Sequence, residues 1–479
     1  MLEAYSQVFI PPGGEFDGKS AGILRARRGA LLARLPLPTL VQGPEREPGA
    51  EFSWWSAPRG QAQDPEMVYL TGINQPGFAL FLDPAAPEGE RETLFVPARD
   101  LDREFWNGLA FGMDCSDPAS PAKPDEALAA LSGIGRQLPA AGLPAFLDRL
   151  AKSRPEIGFY FHQYGKGSDG ARNELRDDLF DLSEKLAARG LKPRSVAPEC
   201  LAQRVALDEP QLRAARRAQE IAREAFAEWL PRVASFADEN EAFRSLEHSM
   251  LRRTPWGLAF PTIAAGGANA CVLHYVRNDA PLDRRDLLLV DFGARWGSQS
   301  SDVTRTVPVG GKFDPLQRIL YGVVLDAQEF HRSRVAPGRK LRELDAETWA
   351  YLEKLLKERF FDLGGRAERP YDRKDGSTAR PHGVSHLIGE TVHDGDPFRL
   401  YMDEELRPGM TISNEPGLYG SFEMEIDGAL YRRKIGIRIE NDLLLTESGC
   451  EDLSAGIPSR IEEIEALLWS PLTENAPSC

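Results

Sequence analysis

The chain has 479 residues, 42% hydrophobic and 27% charged, a globular balance with room for two or three domains. A formal net charge of -15 argues against a nucleic-acid-binding face, and no apolar run approaches a membrane span, so small molecules or peptides are the natural partners. Cys115, Cys200, Cys271, Cys450 and Cys479 are odd in number and far apart, with no CxxC pair, which suggests neither a disulfide framework nor a thiolate metal site and fits a reducing cytoplasm. Met1 to Gly14 lacks the basic start, apolar stretch and small-residue cleavage site of a secretory signal, so a soluble cytoplasmic protein is expected.

In chain order, an Arg-rich segment from about Ser20 to Leu35 reads as a helix. Met67 to Ile73, Phe78 to Leu82 and Leu94 to Val96 read as short strands punctuated by Gly and Pro. Helical patterns follow, most clearly from Glu174 to Ala188, giving a mixed α/β first domain without an evident catalytic cluster. A Pro-containing stretch from Val196 to Pro210 leads into a helix on which Leu212, Ala215, Ala218, Ala222, Phe226 and Trp229 recur, with Asp208 as its N-cap. The domain boundary is placed near Val205, so residues 1–204 form the first domain, 205–470 the second and 471–479 a tail, with Glu474 to Cys479 frayed. The polar, Gly/Pro-rich insertion from Gly364 to Pro381 suggests a mobile loop.

The second domain holds the candidate chemistry. Lys434 to Asn441 reads as a half-buried strand with Ile435, Ile437 and Ile439 on one face and Gly436, Arg438 and Glu440 on the other. A buried carboxylate without a partner neutralises or holds a cation, so Glu440 points to a polar interior site. Leu287 to Gly293 is likewise a buried strand interrupted by an acid, Asp291, and a second acid, Asp302, follows in Ser301-Asp302-Val303-Thr304-Arg305-Thr306. A hairpin turning at Trp296-Gly297 would set Asp291 directly opposite Asp302, about 5 Å apart at Cβ. Carboxylates that close repel unless a cation lies between them. Two independent loop aspartates are the plainer alternative.

Of seven histidines, His382, His386 and His393 fall in one short segment, and His274 ends the apolar run from Cys271. The three could share a helix face, but Gly383, Gly389 and Thr391-Val392 favour a turn and strand. His274 alone would read as a core residue. Met410 to Tyr419 is a strand that ends in Glu415 at a Pro-Gly turn. Asp291, Asp302, His386, Glu415 and Glu440 thus make a mostly carboxylate donor set suited to hard or borderline divalent cations such as manganese. Five ligands, several able to bridge, suggest two ions.

Val290-Asp291-Phe292-Gly293, Ser301 to Thr306, His382 to His393, Asn414-Glu415-Pro416-Gly417 and Gly436 to Glu440 together resemble the pita-bread metallopeptidases, and in particular the Xaa-Pro aminopeptidases (aminopeptidase P). The resemblance runs from about Val205 to Leu468, including Ile461 to Leu467, and extends into the first domain through Val68-Tyr69-Leu70-Thr71-Gly72; Ser56 to Gln61 departs from the usual pattern. It implies an α/β (α+β) protein, an aminopeptidase P-like N-terminal domain followed by a pita-bread catalytic domain. It further implies two divalent metals, Mn2+ or alternatively Zn2+, Co2+ or Fe2+, held by Asp291, Asp302, His386, Glu415 and Glu440, with Asp302 and Glu440 bridging. His274, His382 and His393 take catalytic roles beside Glu415, and Tyr419, Arg438 and His382 shape the substrate pocket. The implied substrate is a peptide with proline second, and the implied assembly a homo-oligomer, dimer or tetramer. A prolidase, which shares these motifs, is the alternative, and a non-catalytic binding module of this fold a more distant one.

Overall fold

The computed structural model describes residues 2–43, 63–116, 120–160, 182–373, 380–394 and 401–468. Ser56 to Gln61, the first half of the Glu174–Ala188 pattern and the tail from Glu474 lie outside them. The chain divides into two compact units, Met1–Ala206 and Leu207–Cys479.

The first unit is built on a six-stranded sheet of β1 (Thr39–Gln42), β2 (Ala79–Leu82), β3 (Glu92–Val96), β4 (Gln137–Pro139), β5 (Glu156–Tyr160) and β6 (Lys192–Ser195), in the order β4-β3-β2-β1-β5-β6. The β1–β2 and β2–β3 pairs are antiparallel and the rest parallel. Alternation sends Val41, Leu80 and Leu94 to one core with the helices Ser20–Leu32 and Glu126–Ser132. Leu40, Phe81 and Phe95 pack on the other face with Leu143–Ser153 and Leu182–Ala188.

One expectation fails here. Met67 to Thr71 is not a strand but part of the helix Pro65–Thr71, started by the Asp64 side chain and Pro65 and stopped by Gly72 at φ 73°. Every residue of that helix is buried, so no polar face exists to print a helical period on the sequence.

The second unit opens with the helix Glu209–Trp229, whose Asp208 and Gln211 form a reciprocal capping box and whose Ala215, Ala218, Ala222, Phe226 and Trp229 are buried. Three sheets of three or more strands follow: β11-β8-β7, formed by β7 (Ile263–Gly266), β8 (Leu287–Phe292) and β11 (Val303–Pro308); β12-β15-β16, formed by β12 (Arg366–Glu368), β15 (Gly417–Ile426) and β16 (Ala429–Arg438); and a third. That third sheet orders β13 (Leu387–Ile388), β14 (Thr411–Asn414), β17 (Asn441–Leu445) and β18 (Cys450–Asp452) as β13-β14-β17-β18. Helices Pro315–Arg334 and Leu341–Arg359 share one apolar core with Val290, Phe292, Ile435, Ile437 and Ile439. The alternate residues Asp291, Arg438 and Glu440 therefore face away from the helices, into a cavity. Part of the Gly364–Pro381 insertion is ordered as β12 against β15, while 374–379 lie outside the described residues.

The β8–β11 register differs from the sequence reading. Asp291 pairs with Thr304, and the two-residue strands β9 (Arg295–Trp296) and β10 (Gln299–Ser300) close around Gly297-Ser298. Gly297, at φ 60°, takes the first central position of the turn, which favours a glycine there. The turn therefore sits one residue later than expected and the pairing moves by two. An even shift keeps every side chain on its face, so Asp302 still shares the Asp291 side, diagonally rather than directly opposed.

Candidate metal centre

Separate backbone segments converge on a cavity of about 520 Å³ lined by Asp291, Asp302, His386, Glu415 and Glu440 together with His274, His382, His393 and Arg438. Their side-chain donor atoms form three overlapping groups, each drawn within 4.8 Å: Asp302, His386 and His393; His386, Glu415 and Glu440; and Asp291, Asp302 and Glu440. Asp302, His386 and Glu440 each belong to two groups, so the three groups form one continuous cluster.

Each ligand candidate is fixed from behind. Asp302 lies just outside β11, and its backbone N–H donates to Asp442 Oδ2 at 3.0 Å, while Asp442 also accepts from Gln219 of the first helix. Thr304 donates its hydroxyl to Glu440 Oε2 at 2.6 Å and accepts from Arg438 Nε at 3.0 Å. The backbone around Glu440 is held by its own N–H to Thr304 O at 3.0 Å and by the buried Arg305, whose Nη1 donates to Glu440 O at 2.7 Å. His386 sets Nδ1 against the Leu387 carbonyl at 3.1 Å, so Nδ1 is the donor and the Nε2 lone pair faces Glu415 Oε1 at 3.3 Å and Asp302 Oδ2 at 3.5 Å. Ser413 accepts from the His386 N–H at 3.0 Å and donates to Glu415 Oε1 at 3.3 Å.

Electrostatics explain why this cluster suits cations. Burial, and then the charge of Glu440 and Asp291, pushes Asp302 well above the usual carboxylate range. Burial, followed by Glu415 and Asp291, does the same to Glu440. Glu415 is pushed up to about 8 by burial, with Arg438 opposing. Arg438 is the one cation buried among these carboxylates within the described residues, and Asp291 Oδ1 is buried without a protein partner. Such a crowd of acids and an orphaned oxygen fit divalent metal ions, whose charge lets all the carboxylates ionise together.

The histidines occupy two levels. His382 points Nδ1 at the Gly383 carbonyl at 2.7 Å and takes the Tyr419 hydroxyl on Nε2 at 2.9 Å; burial holds it down to about 4, so its ring is neutral. His393 packs on His386 with ring centroids 4.2 Å apart and is held down to about 3, chiefly by His386. His274 and His393 are exposed at the cavity wall. Tyr419 is fully buried behind His382 and touches Arg438 Nη1 at 3.3 Å. The segment carrying the three histidines is a chain of turns around the short β13, and not a helix.

Asp442, Thr304 and Ser413 escaped the sequence reading. Asp442 carries the cue that marked Asp291 and Glu440, an acid inside an apolar strand, whereas nothing local distinguishes the two hydroxyls.

The sequence profile of metallopeptidase family M24 matches residues 213–447, and that of the aminopeptidase P N-terminal domain matches 61–132. An Xaa-Pro aminopeptidase of Escherichia coli is 31% identical over 415 residues, 85% of this chain and 88% of the relative, and Xaa-Pro aminopeptidase 3 of Rattus norvegicus is 29% identical over 85% of this chain and 76% of the relative. Among solved structures, aminopeptidase P from E. coli with the inhibitor Pro-Leu superposes with a TM-score of 0.72 at 25% identity, over 94% of this chain and 98% of the other. This chain carries both the mixed α/β first domain and the pita-bread second domain expected from the sequence. The chain belongs to metallopeptidase family M24, as a member of the aminopeptidase P type with the N-terminal domain of that type.

Proposed function

We propose that the chain is a dinuclear-metal aminopeptidase that releases the first residue from peptides with proline in second position. The observation that carries this reading is the overlap of three donor groups through Asp302, His386 and Glu440 in one cavity. The five residues would hold two cations, with the carboxylates of Asp302 and Glu440 available to both, and an oxygen-rich set with a single histidine suits Mn2+. Zn2+, Co2+ and Fe2+ are the alternatives; one E. coli neighbour is described as zinc-substituted and in complex with product.

When bound, divalent cations supply Lewis-acid polarisation of the scissile carbonyl and acidify water. Glu415, at the cavity wall with Ser413 and His386 on Oε1, is the group placed to move a proton from that water to the leaving nitrogen. His274 and His393, on the exposed wall, donate hydrogen bonds to the substrate carbonyl as negative charge develops on its oxygen. Arg438 holds Asp291, Thr304 and Tyr419 in one arrangement. The His382 ring, edge-on to Trp349 and backed by Tyr419, offers a neutral wall for the pyrrolidine. An Xaa-Pro bond has no N–H, so this wall owes the substrate no acceptor at that point.

The test is chromatographic product analysis with Mn2+ present on Xaa-Pro, Xaa-Pro-Yaa-Zaa and matched alanine peptides. Release of the first residue from the longer proline peptides, with the alanine peptides spared, is expected. Cleavage confined to dipeptides would favour the prolidase alternative, and equal cleavage of alanine peptides would remove proline specificity.

A further inference from the structure

Between His386 and His393 the chain turns at Gly389-Glu390, and Glu390 is buried with 1% of its surface exposed. A buried carboxylate in the loop that carries two site histidines demands partners. Its Oε1 accepts from Gln211 Nε2 at 2.8 Å and from Gln299 Nε2 at 3.1 Å. Gln211 has no freedom to turn its amide round, because its Oε1 takes the Asp208 N–H at 3.1 Å in the capping box of the helix Glu209–Trp229. Gln299 lies in β10, three residues before Asp302. The backbone of the loop is closed locally by Glu390 N–H to Asp394 Oδ2 at 3.1 Å and Asp394 N–H to Leu387 O at 2.9 Å. Within the hairpin, in β9, burial holds the Arg295 guanidinium below the usual arginine range and the charge of Glu390 works against that, so the two groups offset one another.

We propose that Glu390 is a positioning residue that ties the histidine loop to the β9–β10 hairpin and to the first helix of the unit, and so sets the gap between His386 and Asp302. That gap, 3.5 Å from His386 Nε2 to Asp302 Oδ2, is where both residues would share a cation. The inference rests on the dinuclear reading above. The carboxylate does two separable things: its oxygen takes two amide N–H groups, and its charge balances Arg295. Only the first bears on metal geometry; the second bears on stability.

The test titrates metal-depleted full-length chain with Co2+, following visible absorption and equilibrium dialysis, and compares Glu390→Ala, Glu390→Gln and Gln299→Ala with the parent alongside thermal melts. Glu390→Ala should weaken Co2+ binding about tenfold or more and change the absorption band, as loss of a supporting partner does. Glu390→Gln keeps an acceptor for both amides, so it should bind Co2+ within a few-fold of the parent while melting lower. Gln299→Ala, which leaves the Glu390–Arg295 balance alone, should weaken binding in the same sense as Glu390→Ala but less, and the double variant should fall short of the summed effects. A Glu390→Ala protein, or a Gln299→Ala protein if the first fails to fold, with parental Co2+ affinity and absorption overturns the proposal whatever its melting temperature. A parent that binds no Co2+ overturns the dinuclear reading itself, and this inference with it.

Discussion

Arg438 Nη2 meets Asp291 Oδ2 at 2.5 Å, joining the end of β16 to the end of β8 across the metal cavity. The same guanidinium holds Thr304 and Tyr419, so one buried cation fixes one carboxylate directly and a second, Glu440, through the Thr304 hydroxyl. Arginine suits this because its planar fork serves several acceptors at once, which a lysine ammonium on a flexible stem does not.

Replacing Arg438 by Leu is expected to destabilise the second unit by about 3–5 kcal/mol, the range for removing one partner of a buried pair. Arg438→Lys should fall between the two. Urea unfolding of the metal-loaded protein checks both, and a Lys variant as stable as the parent would refute the multi-contact role.

Two divalent ions per chain are expected from elemental analysis, with activity lost on exhaustive chelation and restored by Mn2+. Activity that persists in protein shown to be metal-free would refute the dinuclear site.

His274→Ala and His393→Ala should each lower turnover by about a hundredfold or more, the usual effect of losing an oxyanion donor. Metal content should stay near that of the parent, since the proposed role of both is on substrate. Because the His393 ring stands within the same 4.8 Å as Asp302 and His386, metal loss in the His393 variant would reassign it as a ligand.

A Cβ at Gly293 would overlap the Ser301 carbonyl oxygen across the hairpin, and backbone cannot swing aside as a side chain can. Gly293→Ala should cost about 3 kcal/mol in urea unfolding, the upper part of the overpacking range. Unchanged stability would mean that the hairpin is looser than its register implies.

His331 is fully buried, with Nε2 at 2.9 Å from the Ser385 hydroxyl, and burial holds it down to about 3. Its folded pKa lies below the unfolded value, so the unfolded chain takes up the proton first as pH falls. This contribution to stability is complete above about pH 6.5 and is lost progressively below it, by about 2 kcal/mol between pH 7 and pH 5. Urea midpoints at the two pH values should therefore differ less in His331→Gln than in the parent, and equal differences would refute the assignment.

The sequence by itself determined the acids and the histidine that converge on the cavity, because a carboxylate set within an apolar strand needs a reason at any register. It also determined which face those side chains take in β8 and β16, since the period of two is local. Tertiary structure decided what local pattern does not encode. The segment Met67–Thr71, apolar on every side, became a helix through Asp64, Pro65 and Gly72 rather than through its own periodicity. The Asp291 partner became Thr304 because a glycine with positive φ took the first place in the turn. The supporting contacts from Asp442, Thr304, Ser413 and Glu390 join segments as far as 223 residues apart in the chain, as in Gln219 to Asp442. Such hydrogen bonds exist only once the sheets and helices have packed, and no spacing along the chain anticipates them.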